Sequence, residues 1–259
     1  MSEQAAATTP PPPSLSLVIP AYNEAARISS TIAAARSFLA AQLYESELII
    51  VDDGSTDATA SLAETALAGL EAGHLVARPH AGKAAALRAG LATASLDQVA
   101  FSDADLATPL THLADLRAAI AAGCDIAIGS REGTGARRLG EPMYRHLMGR
   151  GFNLIVRALL LPDINDTQCG FKLFRRPAIT AILERGRLYR DTGTITGPRV
   201  TAFDAELLVV GRQLGYRICP IPVVWRYGRH SKVQPAHDTW HNLRDVILVR
   251  WNLWRGHYN

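Results

Sequence analysis

Aspartates that follow two apolar runs are the residues of this chain best placed to do chemistry. Asp52 and Asp53 come directly after the run 49–51, and Asp103 and Asp105 follow the run 99–101. In a parallel α/β sheet, ligands bind at the carboxyl ends of the strands, and carboxylate oxygens are the ligands that Mg²⁺ and Mn²⁺ prefer. In extended backbone, residues two apart point to the same side. We therefore expect Asp103 and Asp105 to share one metal ion with a diphosphate, although an isolated Asp-x-Asp pair is also common in solvated loops.

Neighbouring segments supply groups that fit a nucleotide. The first apolar run ends in a turn where Pro20 and Tyr22 can wall a base pocket and Glu24 can open a helix. A glycine turn after Asp53 leaves that carboxylate free to accept from the N3–H of a uracil or from a ribose. Lys83 follows a glycine at a helix start, so the helix N-terminus and the ammonium can both face a diphosphate. This segment is not a Walker A loop, because its first glycine and its hydroxyl are missing.

The elements that must position these groups alternate along the first half of the chain. Such alternation of strands and helices predicts a doubly wound, largely parallel sheet. Past residue 133 the alternation lapses into a loop rich in Gly and Arg, and we expect this half to bind an acceptor. The predicted strands are 16–20, 47–53, 74–77, 98–102 and 125–130; the predicted helices are 24–43, 58–68, 82–94, 110–121, 143–161 and one from about 203; loops are expected at 166–172 and 191–198.

Composition places the chain among ordinary globular proteins. Its 259 residues are 48% hydrophobic and 20% charged, enough for one large domain or two small ones. The net charge is only +3, but six arginines are set against two glutamates between residues 131 and 157. This asymmetry indicates an anionic partner. Nucleic acid is a poor candidate, since no helix-turn-helix or zinc-finger pattern is present and aromatic residues are not interleaved with the basic ones.

Cysteine usage and the absence of long apolar segments predict a cytoplasmic protein that is not integral to a membrane. Cys124, Cys169 and Cys219 are odd in number and match no zinc spacing, which favours reduced, buried thiols. The first residues lack the apolar core of a signal peptide, and no segment approaches the roughly twenty apolar residues of a spanning helix. We divide the chain into a disordered tail (1–13), one domain (14–235, with a nucleotide-sugar half 14–130 and an acceptor half 131–235) and a terminal helix (236–259).

The terminal helix is amphipathic. Its apolar residues recur at steps of three and four, include three tryptophans and are flanked by arginines and histidines. One interpretation is a helix docked on its own domain. The other is a helix lying in a membrane interface, where Trp and Arg are expected. The residues of the stripe are Trp240, Leu243, Ile247, Trp251, Trp254 and Tyr258.

Taken together and in order, these segments resemble the family-two inverting glycosyltransferases of GT-A fold, a Rossmann-like α/β class. Within them the greatest likeness is to the dolichyl-phosphate (polyprenyl-phosphate) β-glucosyltransferases, and the stretch 166–174 with the pattern Phe-Asp-x-Glu-Leu-Leu at 203–208 is specific to that branch. The resemblance covers roughly residues 15–233. It implies a single domain that transfers a sugar, with glucose favoured by likeness alone, from a UDP-sugar to a polyprenyl phosphate at the cytoplasmic face of a membrane.

The resemblance also implies roles for single residues. The position two residues after the second acid, where mannosyl-transferring relatives have a further metal ligand, is Ala107 here, and His230 is a possible substitute. Asp204 stands at the place of the family's base; it is a general base if the acceptor is a hydroxyl, or an orienting group if the acceptor is a phosphate. The implied nucleotide-sugar residues are Pro20, Tyr22, Glu24, Val51, Asp53, Lys83, Asp103, Ala104, Arg226 and Lys232; the implied acceptor-phosphate residues are Arg131 and Arg145; the implied metal ligands are Asp103, Asp105 and His230.

The chemistry follows from charge. A nucleoside diphosphate leaves readily only when its developing negative charge is neutralised. A Mg²⁺ or Mn²⁺ ion stabilises that charge in the transition state by several kcal/mol, and Arg226 and Lys232 are expected to contribute. A phosphate-monoester acceptor, with a second pKa of about 6, is already anionic and needs placement more than a base. Arginine forks supply such placement. Two alternatives stay open: transfer to a soluble hydroxyl acceptor, and a non-catalytic protein that binds nucleotide sugars.

Overall fold

The computed structural model describes residues 11–190, 193–195, 201–228 and 235–258, with only the backbone described for residue 145 and residues 235–240. In the described part, seven strands form the main sheet and two short strands form a second one. The strands are β1 (Leu15–Ala21), β2 (Ser46–Asp52), β3 (Gly73–Ala77), β4 (Gln98–Ser102), β5 (Ile126–Ser130), β6 (Arg137–Leu139), β7 (Phe171–Arg175), β8 (Ile218–Pro222) and β9 (Val224–Arg226). The helices are α1 (Ile28–Ala40), α2 (Thr59–Leu67), α3 (Lys83–Thr93), α4 (Leu113–Ala121), α5 (Met143–Leu159), α6 (Arg176–Arg185), α7 (Phe203–Gln213) and α8 (Pro235–Trp254).

The main sheet is doubly wound, as predicted. Its strand order is β3-β2-β1-β4-β7-β5-β8, and all its pairings are parallel except those of β7. Strands β1, β4 and β5 are buried along their whole length, which is why their sequences are almost continuously apolar. Two apolar clusters cover the two faces of the sheet, one built with α1, α2 and α4 and the other with α3, α6 and α7.

Strand β7 differs from the sequence-based expectation, because its first two residues lie in the segment predicted to be a loop. The strand runs antiparallel between β4 and β5, so Ser102 pairs with Phe171 and Phe101 pairs with Lys172. Its sequence is short and contains a lysine, and local periodicity alone does not identify such a segment as a buried strand. The antiparallel direction matters for function, because it brings the beginning of β7 to the same edge as the end of β4.

Helix α8 both docks on the domain and keeps an exposed apolar face. Val246 and Val249 are fully buried in the cluster that includes α7. Tyr258, just after the helix, is buried, and its hydroxyl donates to Oε1 of Glu206 at 2.8 Å. The helix therefore docks through valines that lie outside the predicted stripe. Of the stripe itself, Tyr258 is buried, whereas Ile247, Trp251 and Trp254 are exposed. The domain boundary at residue 235 stays a prediction. Among the described residues, no helix has the length and apolar composition needed to span a bilayer.

The prediction of three reduced thiols is wrong for two of them. Cys124 and Cys219 form a disulfide with their Cα atoms 6.2 Å apart, whereas Cys169 is free and buried. The two bonded residues are 95 positions apart in the chain, but β5 and β8 are neighbouring parallel strands whose starts lie side by side. Only the strand order reveals this proximity, so the disulfide could not be predicted from the number and spacing of the cysteines.

Candidate active site

The predicted carboxylates meet at one edge of the sheet. Asp52 ends β2, and Asp103 and Asp105 follow β4, which lies on the other side of β1. The start of β7 completes this edge, because Gly170 lies against the carboxylate of Asp103. A Cβ atom at position 170 would stand 2.1 Å from Oδ2 of Asp103. Glycine at this position therefore leaves the room that the Asp103 carboxylate occupies.

We expect Gly170→Ala to displace the Asp103 carboxylate and to lower kcat/KM at least about a hundredfold, the loss typical of a misplaced reacting group. Gly149→Ala in α5 is the matched control, because nothing lies within 4 Å of the added methyl group. Steady-state kinetics and thermal unfolding of both variants provide the measurement. Near wild-type kinetics for Gly170→Ala would contradict a fixed Asp103.

Asp103 and Asp105 form a carboxylate pair with a lysine beside it. Nζ of Lys83 lies 2.5 Å from Oδ1 of Asp103, and both side chains are partly exposed. Desolvation lowers the pKa of Lys83, but the carboxylates of Asp103 and Asp204 outweigh it and hold the pKa above its ordinary value. Desolvation and the charge of Asp103 raise the pKa of Asp105. A further cation at this pair would relieve the repulsion between the two carboxylates.

The donor set fits a hard divalent cation in part. Two carboxylates offer the oxygen ligands that Mg²⁺ and Mn²⁺ prefer. Among the described residues, no third His, Cys, Asp or Glu joins them. Ala107 has no ligand atom in its side chain, and the predicted substitute His230 lies outside the described residues. Diphosphate and water oxygens would have to fill the remaining coordination positions.

Asp53 is not free, in contrast to the sequence-based expectation. Its carboxylate accepts from the backbone N–H groups of Gly82 at 2.7 Å and Ala81 at 3.2 Å, and it lies 2.7 Å from Nδ1 of His80. The residue is buried. Asp53 thus fixes the loop that precedes α3, which carries Lys83. These partners could not be predicted, since nothing in the local pattern pairs residues almost thirty positions apart.

An aromatic stack stands at the predicted base pocket. The rings of Tyr22 and His80 lie parallel, with centroids 3.8 Å apart and 7° between their planes. His80 is not among the predicted site residues, although it precedes the Gly-Lys pair by only two residues. Gly54 lies against the backbone of His80: its φ is +69°, and a Cβ there would stand 2.5 Å from the backbone nitrogen of His80. The glycine in the turn after Asp53 therefore allows two loops to approach each other closely.

The other predicted nucleoside residues divide into accessible and inaccessible side chains. Glu24 is half-buried and pairs with Arg27 at 2.8 Å. Pro20 and Val51 are buried in their strands, and the side chain of Val51 packs against Gly90 of α3. Ala104 is buried, and its carbonyl accepts from the hydroxyl of Thr31 at 2.6 Å. For Val51 the side chain is thus a core group, and only its backbone is left for a nucleoside.

Arg131 is committed to a carboxylate. Its Nε and Nη2 donate to the two oxygens of Asp166, each at 2.8 Å, and its backbone N–H donates to the same carboxylate at 2.9 Å. The side chain of Asp166 is fully buried and that of Arg131 is 16% exposed. The guanidinium holds the pKa of Asp166 at about 2, against the opposing effect of burial. The fork expected to grip two phosphate oxygens therefore grips Asp166, and the remaining N–H groups of Arg131 are left for a ligand.

The arginine cluster is not one anion site. Arg138 bridges Glu132 and Glu141 at 2.9 Å each. Arg226, in the small sheet of β6 and β9, is exposed, and its backbone N–H donates to the carbonyl of Ala107 at 2.8 Å, which places β9 beside the carboxylate pair. Lys232 and the side chain of Arg145 lie outside the described residues, so their roles stay predictions.

Asp204 lies in the first turn of α7 and pairs with a lysine from β7. Nζ of Lys172 is 2.5 Å from Oδ1 of Asp204, and the lysine side chain is fully buried. Asp204 is among the predicted site residues, whereas Lys172 is not. A lysine between phenylalanine and leucine in a five-residue strand was the available signal, because a lysine in a buried strand needs a counter-charge.

A mostly parallel central sheet with carboxylates at its strand ends and a lysine at a helix N-terminus is typical of a GT-A-like fold. A model of the family described as glycosyl transferase family 2 matches residues 16–183. The chain belongs to this family.

Relatives and solved structures agree with this assignment. The dolichyl-phosphate beta-glucosyltransferases of Saccharomyces cerevisiae and Homo sapiens are 33% and 29% identical, each over 91% of this chain and 74% of the relative. Glycosyltransferase AglD of Haloferax volcanii is 31% identical over 92% of the chain, which spans only 37% of that protein. Glucosyl-3-phosphoglycerate synthase of Mycobacterium tuberculosis, crystallised with Mn²⁺, UDP-glucose and phosphoglyceric acid, superposes over 92% of this chain and 78% of its own, with a TM-score of 0.64. At 21% identity this likeness shows the fold alone.

Proposed function

We propose that this protein transfers glucose, with inversion, from UDP-glucose to a polyprenyl phosphate. The observation that carries the proposal is the site at the ends of β2 and β4, where Asp103, Asp105 and Lys83 converge beside the stacked Tyr22 and His80. Relatives named dolichyl-phosphate beta-glucosyltransferase, which this chain matches over nine-tenths of its length, support the donor sugar and the acceptor class.

Some residues of the site would contact the donor, and others would contact the acceptor. Asp103 and Asp105 would hold a Mg²⁺ or Mn²⁺ ion, which when bound neutralises charge on the leaving diphosphate. Lys83 lies close enough to Asp103 to contact the same diphosphate and adds a fixed positive charge at the start of α3. Arg131, oriented by Asp166, presents its remaining N–H groups toward an acceptor phosphate. Tyr22 offers a flat surface for a nucleobase.

Transfer of radiolabelled glucose from UDP-glucose tests the proposal. With farnesyl phosphate as acceptor, we expect label in the organic phase, and NMR of the product should show the β-anomer. Label in a new water-soluble product, separated from UDP-glucose by anion-exchange chromatography after reaction with a sugar-acid acceptor, would instead favour a soluble hydroxyl acceptor. UDP-glucose binding without any transfer would favour a protein that only binds nucleotide sugars.

The proposed partner surface is a membrane, contacted by α5 and α8. These helices pack against each other, and both carry large apolar side chains that are exposed. On α5 the exposed apolar residues are Met143, Tyr144, Leu147, Met148, Leu154, Ile155 and Leu159; on α8 they are Ile247, Leu248, Trp251 and Trp254. Exposed arginines border them at 150, 157, 244, 250 and 255. Apolar and Trp side chains ringed by arginines fit an interface with anionic lipids. The cytoplasmic face stays a prediction, and the disulfide removes the support it had from reduced thiols.

Replacing Leu147 and Trp254 together by serine is expected to weaken co-sedimentation with vesicles containing phosphatidylserine while leaving the fold intact. The two side chains are 62% and 71% exposed, and each fully buried side chain of this kind contributes about 2 kcal/mol. Leu43→Ser is the matched control, because Leu43 is 95% exposed and precedes β2, at the opposite edge of the sheet from the site. Equal vesicle binding by wild type and the double variant would contradict a membrane surface on α5 and α8.

A further inference from the structure

Helix α8 contributes a carboxylate to the interior of the domain. Asp245 is buried on the inner face of the helix, next to the buried Val246. Its Oδ2 accepts a hydrogen bond from the hydroxyl of Tyr189 at 2.6 Å and another from the backbone N–H of Ala202 at 3.2 Å. Burial of a carboxylate is tolerated only where such partners satisfy it. Asp245 therefore joins α8 to the residue that directly precedes α7.

Ala202 is the residue on which the first turn of α7 is built. Its carbonyl oxygen accepts from the N–H of Ala205 at 2.9 Å and from the N–H of Glu206 at 3.1 Å, while its own N–H donates to Asp245. The partial positive charge at a helix N-terminus also favours a carboxylate beside it. The bond from Ala202 to Asp245 thus fixes the point at which α7 begins.

The first turn of α7 carries a side chain of the candidate site. Asp204 is the second residue of this helix, and its Oδ1 lies 2.5 Å from Nζ of Lys172. The Asp204 carboxylate also interacts electrostatically with the ammonium of Lys83, which is paired with Asp103. Any displacement of Ala202 would therefore move Asp204 relative to the lysine proposed to contact the diphosphate. A misplacement of about 1 Å can lower a rate about a hundredfold.

We propose that Asp245 is a positioning residue for sugar transfer, through which the inner face of α8 holds Asp204 at the site. This inference rests on the proposed function. It gives α8 two separate roles, since the exposed Trp251 and Trp254 face the proposed lipid surface, whereas Asp245 acts on turnover whether or not a membrane is present. Asp245 acts through its geometry, because one of its oxygens must lie within hydrogen-bond distance of the Ala202 N–H, and its charge is secondary.

Two variants of Asp245 separate position from charge. Asp245→Glu keeps the carboxylate but moves it by one methylene group, so we expect kcat with farnesyl phosphate in detergent to fall between about tenfold and a hundredfold. Asp245→Asn keeps an amide oxygen in the same place, able to accept from both donors, so most of the turnover should remain. The Kd for UDP-glucose and co-sedimentation with vesicles containing phosphatidylserine should stay near wild type in both. Asp245→Ala, which offers no acceptor, provides the same contrast with Asp245→Asn if the longer side chain is not accommodated.

A second hydrogen bond between the C-terminal segment and α7 supplies the matched control. The hydroxyl of Tyr258 donates to Oε1 of Glu206, which also accepts from the backbone N–H groups of Arg187 and Leu188. Tyr258→Phe therefore removes one bond between these elements but leaves Glu206 with two donors and Ala202 in place. We expect its kcat to stay near wild type, even though thermal unfolding shifts to lower temperature.

Several outcomes would overturn the inference and leave the proposed function standing. Wild-type kcat in Asp245→Glu is one, and a loss in Asp245→Asn as large as that in Asp245→Glu is another. Equal losses in Tyr258→Phe and Asp245→Glu would also do so, because the effect would then come from the general attachment of the helix. A loss of UDP-glucose binding in parallel with kcat would assign Asp245 a purely structural role. Absence of transfer by the wild type, with UDP-glucose still bound, would overturn the proposed function and the inference with it.

Discussion

Asp105→Ala is expected to lower sugar transfer by at least about a thousandfold, because a divalent ion at the leaving diphosphate contributes several kcal/mol. Asp105 is exposed at the site, and its carboxylate accepts from the N–H of Ala107 at 3.0 Å. With Asp105 removed, Asp103 is left as the single carboxylate, and it is already paired with Lys83 at 2.5 Å. Lys83 then competes with the ion for the remaining ligand, so metal affinity falls further than the loss of one ligand alone would cause.

Two measurements separate this effect from general damage. Binding of Mn²⁺, followed by electron paramagnetic resonance in the presence of UDP, should be lost in Asp105→Ala and kept in Glu64→Ala, whose carboxylate is exposed on α2. Kinetics in excess EDTA test the metal requirement of the wild type. Undiminished turnover in EDTA would show that Lys83 and the arginines suffice, and the metal assignment would be wrong.

The strand ends of the site could be predicted because each is marked locally. An apolar run that stops at Asp103 and Asp105 identifies both the end of a buried strand and its functional edge, and β4 begins and ends as predicted. The helix start at Lys83 is marked in the same way, by the glycine before it. In these places the residues that end or begin the element are also the candidate site residues, so a local pattern was enough to locate them.

Residues that act through partners distant in sequence could not be predicted. The carboxylate of Asp53 was expected to be free, yet it holds the loop 80–82; its role toward a nucleoside stays a prediction. Lys172 lies in a strand whose antiparallel direction no local signal reveals. The Cys124–Cys219 disulfide depends on β8 joining the sheet beside β5. In each case the deciding contact is set by the order and direction of strands, which periodicity does not encode.

The strongest stability effect is expected at the Arg131–Asp166 pair. Asp166→Asn leaves the Arg131 guanidinium largely buried without its counter-charge, and breaking such a pair costs about 3–5 kcal/mol. The matched control is Asp163→Asn, which breaks the exposed pair of Asp163 with Arg212 at 2.6 Å. An exposed pair of this kind contributes at most about 1 kcal/mol. Urea denaturation of the two variants should therefore show a clear difference in the free energy of unfolding.

We also expect the difference in the free energy of unfolding between the wild type and Asp166→Asn to depend on pH. The pKa of Asp166 is about 2 in the folded protein, below the value of about 3.9 for an unperturbed aspartate. A lowered carboxyl pKa stabilises the fold above the unfolded value, and this stabilisation is lost as the pH falls toward the folded value. The free energy of unfolding of the wild type should therefore fall between about pH 4 and pH 2, while Asp166→Asn lacks this component, so the two curves converge. Curves that stay parallel over this interval would show that pairing with Arg131 does not lower the pKa of Asp166. The role of Asp166 in orienting Arg131 toward the acceptor would then have to be abandoned.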